Sequence, residues 1–357
     1  MSQAADVTRS LDHRPSVLRV KGLAKSFPVR GGLFSRTVGH VRAVDDVTFE
    51  LHRGEVLGVV GESGCGKSTV ARLVLNLEQP DRGEIFFNET RVGGRQGLSL
   101  RALRRGVQMV FQDSHAALNP RMTVFETIAY GPLSTGVQRR FAHGRAETLL
   151  ADVGLDPGRF ADRYPHELSG GQRQRVNIAR ALALAPQVVI LDEAVSALDK
   201  SVGAQILNLL GRLKRERDLQ YIFISHDLNV VEYLADRVLV MYLGSIVELG
   251  ATETILRQPA HPYTRALIAS QPAVDPRRRT RELPITGDLP NPMDPPSGCR
   301  FRTRCPFAET ACAVSPPRLV ALDPSASHRV ACHIMDPASG HSLASRDAPI
   351  APGTESP

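Results

Sequence analysis

The chain has 357 residues, with 44 Lys and Arg against 37 Asp and Glu and a formal net charge of +7. This length allows one large α/β domain with an extension, and the interspersed charges indicate a basic globular protein with no nucleic-acid partner. The sequence lacks a signal-peptide core and any apolar run near the roughly 20 residues of a membrane span, so we expect a cytosolic chain.

The N-terminal part of the chain predicts a tail followed by two strands. Residues 1–16 are polar and unpatterned, which indicates a flexible tail. The segments 17–29 and 41–51 are typical of paired β-segments joined by a Gly-containing loop. Phe27 lies on the first segment. Its ring could stack on an adenine, although an aromatic residue at such a position is more often part of the core.

The segment 55–75, EVLGVVGESGCGKSTVARLVL, predicts an apolar strand, a Gly-rich turn and a helix. It matches the phosphate-loop pattern in full: a glycine, four variable residues, then Gly-Lys-Ser. The glycines let backbone N–H groups point at one small volume, where the start of the helix adds a positive dipole. The sequence therefore predicts a site for a nucleoside triphosphate.

Individual side chains of this turn have predicted tasks. Lys67 is expected to reach the β and γ phosphates, Ser68 to bind Mg²⁺, and Thr69 to bond the α phosphate. The predicted ATP-binding residues of the turn are Gly61, Glu62, Ser63, Gly64, Cys65, Gly66, Lys67, Ser68 and Thr69.

Two later segments predict further polar groups for this site. The apolar strand VQMVFQ, residues 107–112, presents Gln112 at its end, where α/β folds bind ligands. The segment from about 113 to 180 has helical periodicity and predicts a helical subdomain inserted between strands. It ends in LSGGQ followed by a helix, which predicts a second anion site with Ser169 as the helix cap. The residues of that site are Ser169, Gly170, Gly171 and Gln172.

The strand VVILDE, residues 188–193, delivers two acids to its carboxyl end. Asp192 is expected to hold Mg²⁺, and Glu193 to take a proton from an attacking water. The segment SALD follows and ends at Asp199. A last core strand, YIFIS, leads to His226. A histidine at a strand end is more often structural, but here it would face the same phosphate pocket as Gln112, so we expect contact with the γ phosphate.

Six motifs, in their order along the chain, closely resemble those of the ATP-binding subunits of ABC transporters: GESGCGKST, the glutamine of VFQD, LSGGQRQR, VVILDE, SALD and ISHD. The resemblance extends over about residues 17 to 335. The resemblance implies an α/β P-loop NTPase with a RecA-like core, an antiparallel β subdomain and a helical subdomain. It implies two ATPase domains that meet head to tail, so that Ser169 and Gly171 bind the partner's γ phosphate. It also implies that Gln112 senses Mg²⁺ and touches the membrane subunit, that Glu193 is the general base, and that His226 holds the transition state. For Phe27, the resemblance favours stacking on the adenine over a place in the core.

Four segments resemble the peptide and nickel importer branch of this family: LNPRMTV, DEAVSALDKSV, HPYTRALIAS and PPSGCRFRTRCPFA. More narrowly, DEAVSALD resembles the second of the two unlike ATPases of dipeptide and oligopeptide permeases. This implies a sister ATPase (a homodimer being the exception), two permease subunits, an external solute-binding protein, and a place on the cytoplasmic face of the inner membrane. Peptide is the implied solute. Nickel, opine or glutathione remain alternatives, and a soluble non-transport ABC ATPase is a remoter one.

The predicted domains are the ATPase domain, 17–255, a small Cys-rich extension, 256–334, and a disordered tail, 335–357. The extension contains Cys299, Cys305, Cys312 and Cys332, for which disulfides are unexpected in a reducing cytosol. Their spacing lacks the CxxC pairs of structural zinc sites. The importer branch implies a [4Fe-4S] cluster, whose charge Arg300, Arg302 and Arg304 would offset. Zinc and free structural thiols stay open as alternatives.

Overall fold

The structure is a computed structural model that describes residues 14–31, 36–271, 287–322 and 327–344. The predicted N-terminal tail lies almost wholly outside the described residues. The described chain begins with a four-stranded antiparallel sheet in the order β2-β1-β4-β5. Its strands are β1 (Ser16–Gly31), β2 (Arg36–His52), β4 (Arg82–Phe87) and β5 (Thr90–Arg91).

The described residues also form an eight-stranded sheet. Its strands are β3 (Val56–Val60), β6 (Val107–Val110), β7 (Val188–Asp192), β8 (Gln220–Ile224), β9 (Arg237–Tyr242), β10 (Ser245–Ala251), β11 (Val320–Ala321) and β12 (Arg329–Val330). The spatial order is β11-β12-β10-β9-β3-β8-β7-β6, and the strands from β9 to β6 run parallel. Every residue of β3, β7, β8 and β9 is buried, as expected for parallel strands covered on both faces.

Helices cover the large sheet and fill the segment between β6 and β7. In chain order they are α1 (Lys67–Val74), α2 (Leu100–Gly106), α3 (Val124–Ser134), α4 (Arg139–Asp152), α5 (Pro157–Phe160), α6 (Gly170–Leu182), α7 (Lys200–Arg217), α8 (Leu228–Leu234), α9 (Thr252–Arg257), α10 (Pro262–Ala269) and α11 (Thr310–Val314). Capping boxes begin α3 and α6: Thr123 pairs with Glu126, and Ser169 with Gln172. Among the residues described, no helix has both the length and the apolarity of a membrane span.

The parallel strands bring four loops to one edge of the large sheet. β3, β8, β7 and β6 are neighbours in that order, and each is followed at its carboxyl end by a segment with predicted site residues. Those segments contain the phosphate loop, His226, Glu193 and Gln112. Because parallel strands end on the same side, these loops meet there.

The C-terminal part of the chain is joined to the large sheet by a buried carboxylate. Glu248 on β10 is fully buried and pairs in register with Val330 of β12. Its carboxylate accepts hydrogen bonds from the backbone N–H of Ala260, at 2.7 Å, and of His261, at 3.0 Å. The ring of His328 lies 2.8 Å from the same carboxylate. A buried charge with this many partners fixes the chain that follows β10 against the sheet.

The prediction of a disordered tail from residue 335 needs a correction for residues 335–344. His341 is only 4% exposed, and the backbone N–H of Ser342 donates to Glu309 at 3.0 Å. Packing against α11 and its cap therefore orders this segment, and its Ser-rich composition gave no sign of that. Residues 345–357 lie outside the described residues.

Candidate functional site

The phosphate loop joins β3 to α1 and needs glycine at its closest approaches. Gly66, immediately before α1, has φ of 108°, and a Cβ there would lie 2.2 Å from the carbonyl oxygen of Ala43. A Cβ on Gly61 would lie 2.2 Å from the carbonyl oxygen of Met241. Since no side chain fits at either distance, the loop is pressed between β2 and the end of β9, and its backbone is held in one conformation.

Lys67 is held inside the loop. Its side chain is only 5% exposed, and its ammonium donates hydrogen bonds to the carbonyl oxygens of Gly61, at 2.8 Å, and Glu62, at 2.9 Å. The positive charge therefore lies at the mouth of α1, where the helix dipole also favours an anion. This arrangement suits phosphate groups.

A cavity of about 210 Å³ opens above the loop and is lined by eight of the predicted site residues. The predicted residues that line it are Ser63, Gly64, Gly66, Lys67, Ser68, Thr69, Gln112 and Glu193. They come from the loops after β3, β6 and β7. The sheet topology thus assembles one site from residues more than 100 positions apart.

Ser68 and Asp192 form the metal-binding side of the site. The Ser68 hydroxyl donates to a carboxylate oxygen of Asp192 at 3.0 Å. Burial raises the pKa of the Asp192 carboxyl; the hydrogen bond from Ser68 opposes this rise, and the nearby Glu193 carboxylate adds to it. Hydroxyl, carboxylate and amide oxygens are the donors that Mg²⁺ prefers, so Ser68, Asp192 and Gln112 fit this ion.

Glu193 is oriented by both neighbouring strands. Its backbone has φ of 47°, a left-handed conformation that is uncommon for a residue other than glycine. One carboxylate oxygen accepts a hydrogen bond from the Gln112 amide at 2.8 Å, and the other lies 3.5 Å from Nδ1 of His226. A carboxylate that faces the phosphate cavity from a strained backbone position is suited to act as a base.

Other predicted residues do not line this cavity: Phe27, Gly61, Glu62, Cys65, Asp192, Asp199, His226 and the whole turn 169–172. The ring of Phe27 is half-buried, and the ammonium of Lys25 lies 5.5 Å from its centre. Asp192 and His226 touch the cavity residues Ser68 and Glu193, so they belong to the same cluster. The role of Phe27 in stacking on adenine stays a prediction.

The turn 169–172 starts α6 and is exposed at Ser169. The Ser169 hydroxyl accepts the backbone N–H of Gln172 at 3.3 Å, and the Gln172 side chain accepts the N–H of Ser169 at 2.9 Å. A Cβ on Gly171 would lie 2.5 Å from a methyl group of Val202, so the turn packs against α7. Within this chain, it is not part of the cavity above the phosphate loop.

Residues missed by the sequence analysis complete the cavity wall. They are Val41, Arg42, Ala43, Leu243, Gly244, Pro292, Pro295 and Arg300. The last three belong to the C-terminal extension. The proline-rich sequence around them was the only feature that could have indicated a place in the cavity wall. The arginines of CRFRTRC do not have the predicted role. Arg300 pairs with Asp45, Arg304 pairs with Glu62, and Arg302 bonds the carbonyl oxygen of Ser297 at 2.9 Å.

The prediction of a [4Fe-4S] cluster is wrong. The four cysteines of the extension, which are free thiols, line a cavity of only about 10 Å³, which is hardly room for one water. Among the described residues, no group of three or more His, Cys, Asp or Glu could hold a metal ion. Burial raises the pKa of Cys299 to about 11 and that of Cys332 to about 12, so these thiols stay protonated.

Two family models match the chain. The ABC transporter model matches residues 44–196, and a model described as oligopeptide/dipeptide transporter, C-terminal region, matches residues 247–312. The first model covers the phosphate loop, the turn 169–172 and Glu193. The second covers the start of the extension, including three of its four cysteines.

Curated relatives and a solved structure are similar to the chain. The probable peptide ABC transporter ATP-binding protein y4tS of Sinorhizobium fredii is 50% identical over 326 residues, which is 91% of each chain. The oligopeptide transport ATP-binding protein AppF of Bacillus subtilis is 47% identical over 327 residues, 90% of this chain and 98% of AppF. Neither is described as an iron–sulfur protein. The ATP-binding cassette MJ0796, solved as a dimer in a post-hydrolysis state with ADP and phosphate, has a TM-score of 0.57 and 28% identity, and the match covers 66% of this chain and 98% of that one.

Proposed function

The chain belongs to the ATP-binding subunits of ABC transporters, and from this premise we propose that it powers the import of di- or oligopeptides. It is an ATPase coupled to transport, which requires permease subunits in the membrane. The peptide substrate is supported by the names of its relatives and by the match to the oligopeptide transporter C-terminal region. The same relatives favour peptide over nickel, opine or glutathione.

The observation that carries the ATPase proposal is the position of Glu193 in the cavity above the phosphate loop, held by Gln112. Lys67 and the loop N–H groups bind the β and γ phosphates, Thr69 bonds the α phosphate, and Phe27 stacks on the adenine. Glu193 takes a proton from the water that attacks the γ phosphate, and His226 stabilises the charge that develops there.

Ser68, Asp192 and Gln112 hold the Mg²⁺ ion, which neutralises charge on the phosphates when it is bound. The pKa of the Asp192 carboxyl is raised because burial removes the carboxylate from water, and a cation at this position would favour its charged form. The hydroxyl of Ser68, at 3.0 Å, is already directed at that carboxylate. This contact supports Ser68 and Asp192 as protein ligands of the ion, and Gln112 lines the same cavity as Ser68.

A second ATPase subunit completes the site in this proposal. Ser169, Gly170, Gly171, Gln172 and Asp199 of one subunit close over the nucleotide on its partner. Two observations support this: the turn 169–172 does not line its own chain's cavity, and the similar cassette MJ0796 was solved as a dimer with ADP and phosphate. The partner is a sister ATPase, and a homodimer is the second candidate.

The complete transporter then contains two ATPases and two permease subunits on the cytoplasmic face of the inner membrane. An external solute-binding protein delivers the peptide. Within this chain, residues 17–255 are the ATPase domain, with a helical subdomain at about 113–180, and residues 256–334 are the extension. The two separate family matches, 44–196 and 247–312, support a division of this kind.

Reconstitution tests the proposal. The chain would be purified with its permease subunits and sister ATPase and placed in proteoliposomes. With the solute-binding protein added on the external side, ATP-driven uptake of a labelled tripeptide and of nickel would be assayed. We expect tripeptide uptake that requires ATP and is lost in the Lys67→Ala variant. ATP-driven nickel uptake without tripeptide uptake would overturn the substrate class, and a complex that binds no ATP would overturn the ATPase itself.

A further inference from the structure

Arg304 of the C-terminal extension bonds a carboxylate of the phosphate loop, that of Glu62. Arg304 lies 242 residues after Glu62 in the chain, yet its guanidinium makes two parallel hydrogen bonds to that carboxylate, at 2.9 and 3.0 Å. The Arg304 side chain is 7% exposed and that of Glu62 24%. A two-pronged pair at this depth is geometrically specific and far stronger than an ordinary surface ion pair.

Every polar group of Glu62 has a partner. Its backbone N–H donates to the hydroxyl of Tyr263 at 2.8 Å, and its carbonyl oxygen accepts the ammonium of Lys67 at 2.9 Å. Arg304 is itself fixed by the hydroxyl of Tyr242 at 3.3 Å. The second residue of the phosphate loop is therefore held by two residues of the extension, Tyr263 on α10 and Arg304, and Arg304 is held in turn by Tyr242 at the end of β9.

The charge of Glu62 makes this grip matter for nucleotide binding. The loop must accept a triphosphate, and an unpaired carboxylate within it would repel that anion. Glu62 does not line the cavity, because its carboxylate is turned toward Arg304. The guanidinium both cancels the negative charge and keeps it away from the phosphates.

We propose that Arg304 is a positioning residue for ATP: it pins Glu62 and neutralises its carboxylate so that the phosphate loop accepts the triphosphate. The inference rests on the ATP site proposed above and adds a task for the extension in that site. The effect is on binding, because Arg304 touches neither the cavity nor the attacking water's base, Glu193.

A double-mutant cycle tests this inference. Arg304→Ala, Glu62→Gln and the double variant would be purified as full chains, and the Kd for MgATP measured by titration with a fluorescent analogue. We expect Arg304→Ala to weaken binding about tenfold, because it leaves an unpaired carboxylate in the loop. Glu62→Gln should change Kd by less than about threefold. The double variant should bind like Glu62→Gln, since the repelling charge is gone.

Arg302→Ala is the matched control. Arg302 belongs to the same segment and bonds Ser297, at 2.9 Å to its carbonyl oxygen, rather than the phosphate loop. It should keep the wild-type Kd. The deficit of Arg304→Ala should also shrink as salt is raised, because screening weakens the repulsion, and it should appear in KM with kcat retained.

Clear outcomes would overturn the inference. Arg304→Ala with the wild-type Kd would remove the role, and a double variant as weak as Arg304→Ala would mean that the arginine acts only as structural support. If Arg304→Ala does not fold, Arg304→Gln serves in the same cycle. A wild-type chain that binds no ATP would instead contradict the proposed function, so the two failures are distinguishable.

Discussion

Two regions border the phosphate cavity, and they contribute to it in different ways. The carboxyl edge of the large sheet supplies Lys67, Gln112 and Glu193, which line the cavity and which we propose to contact phosphate or water directly. The extension supplies a wall that includes Arg300, and the grip of Arg304 on the loop. Neighbouring parallel strands bring the residues of the edge together. The extension is placed beside the cavity by side-chain contacts between residues more than 200 positions apart in the sequence. We therefore propose that the groups that catalyse hydrolysis lie at the edge, and that the extension sets how tightly the phosphate loop binds ATP.

The largest expected effect is at Glu193. Glu193→Gln keeps the hydrogen-bonding shape but removes the base, so turnover should fall about 10²- to 10⁴-fold while ATP still binds. Steady-state hydrolysis in the assembled transporter and ATP titration measure the two quantities. Glu216→Gln, on the exposed face of α7 and paired only with Arg212, is the control. An unchanged rate in Glu193→Gln would remove it as the base.

Lys67→Ala should act on binding. It removes the buried ammonium at the mouth of α1, and the loss of charge-assisted hydrogen bonds to phosphate should weaken ATP binding about 10- to 100-fold. Equilibrium titration of the purified subunit provides the measurement. Wild-type affinity in this variant would contradict the assignment of the loop.

Ser169→Asn tests the role that we propose for the turn 169–172 at the partner's nucleotide. Asn remains a good helix cap, so α6 should stay stable, but the hydroxyl meant for the partner's γ phosphate is gone. We expect hydrolysis by the assembled pair to drop about 10²-fold, the lower end of the effect of removing one hydrogen-bond donor that stabilises a transition state. ATP binding by the variant's own loop should be unchanged, and a large loss there would place the turn in its own chain's site.

The extension side also has a pH signature. His261 caps α10 by accepting the N–H of Tyr263 at 2.9 Å, and burial lowers the pKa of its ring to about 4, with Glu248 opposing the shift. Between about pH 6.5 and 4 this histidine is neutral in the folded chain but becomes protonated in the unfolded chain. The free energy of unfolding should therefore decrease as the pH falls through this range, by up to about 1.4 kcal/mol per pH unit. Urea unfolding at several pH values measures this. His261→Asn keeps a capping acceptor and should show a shallower slope; equal slopes would contradict it.

The two regions also differ in how far the sequence predicts them. The family, the ATPase activity and the P-loop α/β fold were predicted and are confirmed. They could be predicted because the phosphate loop and LSGGQ are local motifs with one chemical use. The pairing of Ser68 with Asp192 spans 124 positions, but a strand order typical of the fold predicts it.

The importer branch predicted from the sequence of the extension is confirmed, but the metal centre predicted there is wrong, because the contacts of its side chains are not local. Four cysteines close in sequence predicted a metal centre, whereas burial keeps Cys299 and Cys332 protonated around a space too small for a cluster. The arginines beside them predicted charge compensation for that cluster. The partners of Arg300 and Arg304 are Asp45 and Glu62, 255 and 242 residues earlier, and no spacing rule relates such positions.

The most direct test measures kcat for hydrolysis and Kd for ATP in Glu193→Gln and Arg304→Ala side by side. The account predicts opposite signatures: Glu193→Gln loses kcat and keeps Kd, and Arg304→Ala loses about tenfold in Kd and keeps kcat. If both variants lost kcat alone, or if Arg304→Ala matched the wild type in both quantities, the division between a chemical edge and a positioning extension would be contradicted.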